Sequence, residues 1–276
     1  MPENKDATIE VRVVIWNILG ARGFPIESGG PIVFQEPSPG LIEAMAAFIL
    51  KSKADVVVIQ EAPPEEYVHA LAHLLGMSAV FFPAQAKSGP EWPFGFPGAV
   101  LSHYPMEDVV PWAGVGMGLG HDLFQRHWGE VTLRIHGHPL RIGSLHLCAD
   151  WGGVNREATR LAEIEAVLKS SRAEVLGGDF NMVPRSAPWK RLQEHGWRDA
   201  WLEAAVSGEG WTSDTRRPVR RIDYAWIAPG SSWGCREADV LTGLAVEVDG
   251  QPVWLSDHLP LMVTLVLLPV SHGSSD

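Results

Sequence analysis

The chain has 276 residues, 46% of them hydrophobic, and 33 acidic against 22 basic side chains leave a formal net charge of -11. This composition supplies a large core, and the length suits one α/β catalytic domain over residues 1–276; the two cysteines exclude a disulfide framework, and the acidic balance excludes strong long-range attraction to a polyanion. No stretch reaches the roughly 18 consecutive apolar residues of a membrane span, and Met1-Pro2-Glu3-Asn4-Lys5-Asp6 lacks the pattern of a secretory signal, so a cytoplasmic protein, monomeric by default, is expected.

In chain order, residues 11–16 read as an apolar strand that ends in Asn17. Residues 38–53 read as a helix, because Leu41, Ile42, Met45, Phe48 and Ile49 recur on one face. Residues 55–60 form a second apolar strand, ending in Glu61, and Pro63-Pro64-Glu65-Glu66 opens a helix through Leu75. Residues 83–97 are rich in Gly, Pro and aromatics and read as a loop whose Trp92, Phe94 and Phe96 are candidates to line a groove. Gly98-Ala99-Val100-Leu101-Ser102 reads as a closely packed strand end. A second loop, residues 111–122, carries Gly114, Gly116, Gly118 and Gly120 on alternate positions, which no stable helix tolerates.

Further on, residues 140–145 form a strand that ends in His146, and residues 155–169 a helix with Leu161, Ile164, Val167 and Leu168 on its apolar side. The short strand Glu174-Val175-Leu176 runs into Gly177-Gly178-Asp179-Phe180-Asn181, which sets a carboxylate and a carboxamide at a strand's carboxyl end, a common place for reactive groups. Taken alone, Gly-Asp-Phe-Asn is equally a turn, and Asn17 and Glu61 as an isolated pair read as ordinary helix or turn caps. Arg216-Arg217-Pro218-Val219-Arg220-Arg221 concentrates four guanidinium groups just ahead of Asp223, an acid among strand formers that is costly to bury without a partner. Ser256-Asp257-His258 opens the last apolar run.

Seven of these blocks stand in the order of a known family: Trp16-Asn17, Gln60-Glu61, residues 98–102, His146-Leu147, Gly178-Asp179-Phe180-Asn181, Arg221-Ile222-Asp223-Tyr224 and Ser256-Asp257-His258-Leu259-Pro260. Over nearly its whole length the chain resembles the endonuclease/exonuclease/phosphatase superfamily. The resemblance implies a fold like pancreatic deoxyribonuclease: a four-layer α/β sandwich of two packed mixed sheets flanked by helices, with the active groups along one edge. It also implies a hydrolase of phosphoesters.

The residue types suit that chemistry. Phosphate ester hydrolysis is among the slowest uncatalysed reactions that enzymes accelerate, so charge on the phosphoryl group must be neutralised. Mg2+, with Mn2+ as a substitute, does so through oxygen ligands. Asn17, Glu61 and Asp257 supply such oxygens, and the resemblance makes Glu61 the principal ligand; zinc is disfavoured, since Cys148 and Cys235 lack paired spacing. Asp179 is expected to align or activate the water, Asn181 to donate to a phosphate oxygen, and His258 to stabilise the phosphoryl centre with Asp223 as its orienting partner. His146 is expected to bind phosphate or protonate the leaving group; it also speaks against the abasic-site endonuclease branch, which has tyrosine there.

Arg216, Arg217 and Arg220 are candidate substrate-phosphate contacts, since guanidinium groups bind phosphate bidentately. The expected activity is a magnesium-dependent phosphodiesterase acting on DNA, RNA or a small phosphodiester. The alternatives are a phosphomonoesterase or a sphingomyelin- or inositol-phosphate-type lipid phosphoesterase, and, against the complete set of reactive residues, a binding module without chemistry. A Ser-His-Asp hydrolase finds no Gly-x-Ser-x-Gly elbow.

Overall fold

The computed structural model describes residues 8–28, 32–84, 95–112, 123–150 and 152–269. The elements are β1 (Glu10–Asn17), β2 (Phe24–Pro25), α1 (Pro39–Ser52), β3 (Val56–Gln60), α2 (Glu65–Leu75), β4 (Ser78–Phe82), β5 (Gly98–Ser102), β6 (Met106–Pro111), β7 (Trp128–Ile135), β8 (His138–His146), α3 (Glu157–Ser170), β9 (Val175–Asp179), α4 (Ala187–Glu194), β10 (Arg198–Asp199), α5 (Ala200–Glu203), β11 (Asp223–Ile227), β12 (Trp233–Val240), β13 (Ala245–Val248), β14 (Gln251–Trp254) and β15 (Leu261–Leu267).

Two six-stranded mixed sheets carry the architecture, in the orders β12-β15-β1-β3-β5-β4 and β10-β11-β9-β8-β7-β6, with a small third sheet β13-β14-β2. Both faces of the central strands are apolar, as buried strands require. In β1, Val13 and Ile15 join Val56 and Val58 of β3 in packing against Val131, Ile142 and Val175 of the second sheet, while Val14 and Trp16 face Leu41, Met45 and Ile49 of α1. On the far side, Ile164 and Val167 of α3 and Leu192 of α4 cover Leu145, Leu176 and Trp226. The result is helices, sheet, sheet, helices: the four-layer sandwich expected from the sequence.

The expected helices form with boundaries set by local chemistry. Ser38 caps α1, its Oγ accepting from Leu41 N at 3.4 Å, and Lys53 ends it in a left-handed conformation. Pro64 holds extended backbone ahead of α2, so that helix opens at Glu65. Asn155 Oδ1 accepts from Glu157 N at 2.7 Å, and α3 begins there. One boundary differs in kind: β9 does not stop at Leu176 but runs on through Gly177, Gly178 and Asp179. A Cβ on Gly178 would lie 1.8 Å from the Leu145 carbonyl oxygen, and one on Gly177 2.9 Å from Ile15 Cγ1. The two glycines therefore permit a tightly packed strand here.

Of the two expected loops, residues 85–94, with Trp92 and Phe94, and residues 113–122, with the four alternating glycines, lie outside the described residues. Pro111 closes β6 instead of opening a loop. Among the described residues no helix is long and apolar enough to cross a membrane.

Candidate active site

Strand register gathers the polar strand ends. In the second sheet, His146 of β8 pairs with Asp179 of β9, and Asp179 with Asp223 of β11, so three candidate residues stand abreast on neighbouring strands. In the first sheet, Asn17 of β1 pairs with Gln60 of β3, which puts Glu61 one residue beyond. The loop before β15 is tied to this edge by Trp16 Nε1 donating to the His258 carbonyl at 2.9 Å and Ser256 Oγ donating to the Asn17 carbonyl at 2.6 Å. Of these groups Glu61, Asp179 and His258, with Asn181 and Asp257, line a cavity of about 580 Å³, while Asn17, His146 and Asp223 are buried and do not line it.

His258 and Asp223 form the most polarised pair. Nδ1 of His258 lies 2.8 Å from Asp223 Oδ2, and Thr212 Oγ1 donates to the same oxygen at 2.5 Å. Burial pushes the imidazolium down, but the opposing carboxylates of Asp223, Asp257 and Asp179 outweigh it and hold His258 well above its usual range. His258 is thus a buried cation, and its Nε2 faces Asp179 Oδ2 at 3.8 Å.

Asp179 sits at the centre. Its Oδ1 accepts the Asn181 backbone N–H at 2.9 Å; its Oδ2 accepts Asn17 Nδ2 at 3.2 Å and faces His146 Nε2 at the same distance. Burial and the neighbouring Asp223 raise its carboxyl to about 6 against the pull of His258 and Arg126. Glu61 is pushed up to about 7, by burial first and then by Asp257, while Arg126 and Asn17 oppose the rise. Both carboxylates are poised near neutrality, the condition for exchanging a proton or welcoming a cation.

His146 is buried and held well below the usual imidazole range, by burial and then by the positive charge of Arg126. It is neutral, so its approach to Asp179 is a hydrogen bond and not an ion pair. Nε2 also faces Asn181 Nδ2 at 3.2 Å and contacts Arg126 Nη1. One tautomer donates to Asp179 and the other accepts from Asn181 and Arg126.

Asn17 turns its amide inward, with Nδ2 donating to Glu61 Oε1 at 3.1 Å as well as to Asp179. Its oxygen, expected to face a cation, accepts instead from Leu19 N at 3.1 Å. Among the described residues Asp179, Asp223 and His258 offer ligand atoms within 4.8 Å of one another, but the imidazolium and its hydrogen bond to Asp223 occupy that set. Glu61 and Asp257, two carboxylates lining one cavity, are the better oxygen donors for a hard cation, and a divalent charge would relieve the burial that raises Glu61.

The arginine run divides. Arg220 reaches the cavity; Arg217 is exposed away from its lining; Arg216 pairs with Asp214 at 2.6 Å and stacks 4.2 Å over Phe24. Arg221 is buried, at 2.8 Å from both oxygens of Asp199. Sequence reasoning missed Arg126, which contacts His146, lies 3.7 Å from Glu61 and stacks 4.3 Å over Phe96. No motif surrounds it; only the position just before β7 places it there.

The family model for the endonuclease/exonuclease/phosphatase family matches residues 14–258. The chain belongs to this family. Solved members are similar in fold. An endonuclease/exonuclease/phosphatase from Beutenbergia cavernae is 22% identical, with a TM-score of 0.67 over 94% of this chain and 72% of that one. The catalytic domain of human Nocturnin, solved with a bound sulfate anion, is 19% identical, with a TM-score of 0.65 over 94% and 93%. The TDP2 of D. rerio, complexed with a single-strand DNA product, is 18% identical, with a TM-score of 0.60 over 93% and 98%. No curated protein sequence matches the chain. Members of this family are generally phosphoester hydrolases of the nuclease and phosphatase type.

Proposed function

We propose that this family member is a Mg2+-dependent phosphodiesterase that directs water onto phosphorus, with DNA, RNA or a small phosphodiester as substrate. The observation that carries the reading is His258, held by Asp223 and pushed above its usual range by carboxylates, lining one cavity with the carboxylates of Glu61 and Asp257. Glu61 and Asp257 would hold the magnesium ion, which when bound supplies Lewis-acid neutralisation of phosphate charge. Asp179, poised near 6, aligns the attacking water and takes its proton. His258 and the Asn181 amide donate to phosphoryl oxygens as negative charge develops. The neutral His146, buried behind the cavity, orients Asp179 and the Asn181 amide through its Nε2, and Arg126 and Arg220 contribute positive charge at the cavity wall.

A compact phosphoester is the second reading within this class, whether a monoester or a lipid headgroup. It is favoured by the net charge of -11, which works against loosely held polyanions. We place the protein in a reducing cytoplasm, on the strength of its two unpaired cysteines.

The test incubates supercoiled plasmid, and in parallel bis(p-nitrophenyl) phosphate, with the protein and magnesium, with EDTA, and with the Asp179→Asn variant. Magnesium-dependent cleavage of either substrate, lost in both controls, is the expected result. Turnover that persists in EDTA would refute the metal requirement, and full activity of Asp179→Asn would refute the role of that carboxylate.

A further inference from the structure

Immediately after His146 the chain leaves β8, and the next peptide groups are held from the side by α3. Cys148 N donates to Glu163 Oε2 at 2.9 Å, and the Cys148 carbonyl accepts from Arg160 Nη1 at 3.0 Å. Arg160 and Glu163 are three residues apart, neighbours on one face of the helix. Both are buried, and the same Arg160 nitrogen donates to Asp150 Oδ1 at 2.8 Å. Two groups from one helix thus grip the amide and the carbonyl of a single residue.

The grip leads back to the reactive groups. Next to Cys148, the Leu147 carbonyl accepts from Asn181 Nδ2 at 3.1 Å, and that same nitrogen lies 3.2 Å from His146 Nε2. The Leu147 amide donates to the Asp179 carbonyl at 3.0 Å. A shift of the Cys148 peptide therefore moves the acceptor that aims the Asn181 carboxamide, and with it the partner of the His146 ring. Arg160 also borders the cavity, but neither it nor Glu163 hydrogen-bonds to Asp179, His258 or Asp223, so the state of the His146 ring, and not turnover alone, reads the clamp.

We propose that Arg160 and Glu163 are positioning residues that set the Asn181 carboxamide and the His146 ring by clamping the Cys148 peptide. The inference rests on the assignment of Asn181 and His146 to the reaction, and its test is read in two ways so that the two can fail separately. Burial pushes the Glu163 carboxyl up to about 8 against the pull of the Cys148 amide, Arg126 and Arg160, so at neutral pH the side chain is mostly a neutral acceptor. Gln replaces it closely, with one carbonyl oxygen for the Cys148 amide. Ala removes the acceptor.

The experiment compares wild type, Glu163→Ala, Glu163→Gln and Arg160→Gln. It measures kcat and KM on bis(p-nitrophenyl) phosphate with magnesium, and in 15N-labelled protein it follows the His146 ring signals, assigned with His146→Gln. We expect Glu163→Ala and Arg160→Gln to lower kcat at least tenfold with KM within twofold, and to shift the His146 ring signals. Glu163→Gln is expected to keep kcat within threefold and the His146 signals in place. Unmoved His146 signals in folded Glu163→Ala, or in folded Arg160→Gln should the alanine variant not fold, overturn the clamp. So does a folded Glu163→Gln that behaves like alanine. If wild type turns over no phosphoester while the signals shift as expected, the functional reading fails and the clamp stands.

Discussion

Replacing Asp223 by Asn tests the electrostatic heart of the site. The substitution keeps the size and an oxygen that can accept from His258 Nδ1 and Thr212 Oγ1, but deletes the charge 2.8 Å from the imidazole. At that separation, and an effective dielectric of about 20, the attraction is about 6 kcal/mol, an upper limit because Asp179 and Asp257 continue to favour the cation. Burial works the other way and is unchanged. We therefore expect the His258 pKa to fall by two units or more, equivalent to about 2.7 kcal/mol. Because the folded pKa is raised, the pair stabilises the fold fully below the unfolded value of about 6.5 and loses that contribution as pH rises through the folded value. The stability gap between wild type and Asp223→Asn should accordingly be widest near pH 6 and close in alkali. NMR titration of the His258 ring, beside urea melts at several pH values, reads both effects. Turnover at pH 7.5 should drop by roughly 10²- to 10⁴-fold, the usual worth of a positioned proton-bearing group. A His258 pKa within half a unit of wild type would refute the reasoning.

Glu61→Gln should weaken magnesium binding at least tenfold by isothermal calorimetry without lowering the melting temperature of the metal-free protein, since burial already disfavours the Glu61 charge; equal affinity would remove Glu61 from the ligands. Gly178→Ala places a methyl 1.8 Å from the Leu145 carbonyl and should cost more than about 3 kcal/mol in chemical denaturation or prevent folding, beyond the ordinary range of overpacking. The raised carboxyl of Glu163 is unfavourable to stability between its unfolded value and about 8, so Glu163→Gln should gain a few kcal/mol relative to wild type as pH rises from 5 to 8.5, checked by melts at both ends. A constant difference across that range would show that Glu163 ionises normally.

Much of the architecture was legible in the residues. The apolar runs ending in Asn17, Glu61, His146 and Asp179 are strands because they bury both faces, and the polar residue at each end marks where the chain emerges at one edge. The apolar stripe Leu41, Ile42, Met45, Ile49 settles where α1 lies. The helix α4 and the short α5 were not read, for Ala187–Glu194 buries only Pro188, Trp189 and Leu192 in eight residues, too few to show a period.

What the sequence determined by itself was the inventory: which strands carry which carboxylates, amides and imidazoles, and the order in which they come. Tertiary structure decided their states. Strand register sets His146, Asp179 and Asp223 abreast, and folding then treats the two histidines oppositely: the carboxylates around His258 push it above its usual range, while burial and Arg126 push His146 below it, since a pKa responds to burial and to charges a few ångströms away that are distant along the chain. Folding also sorted the arginines. Arg220 meets the cavity while Arg216 and Arg221 are taken by Asp214 and Asp199, and Arg126 enters from outside any motif, because a guanidinium's role depends on which carboxylate lies within reach of its long side chain.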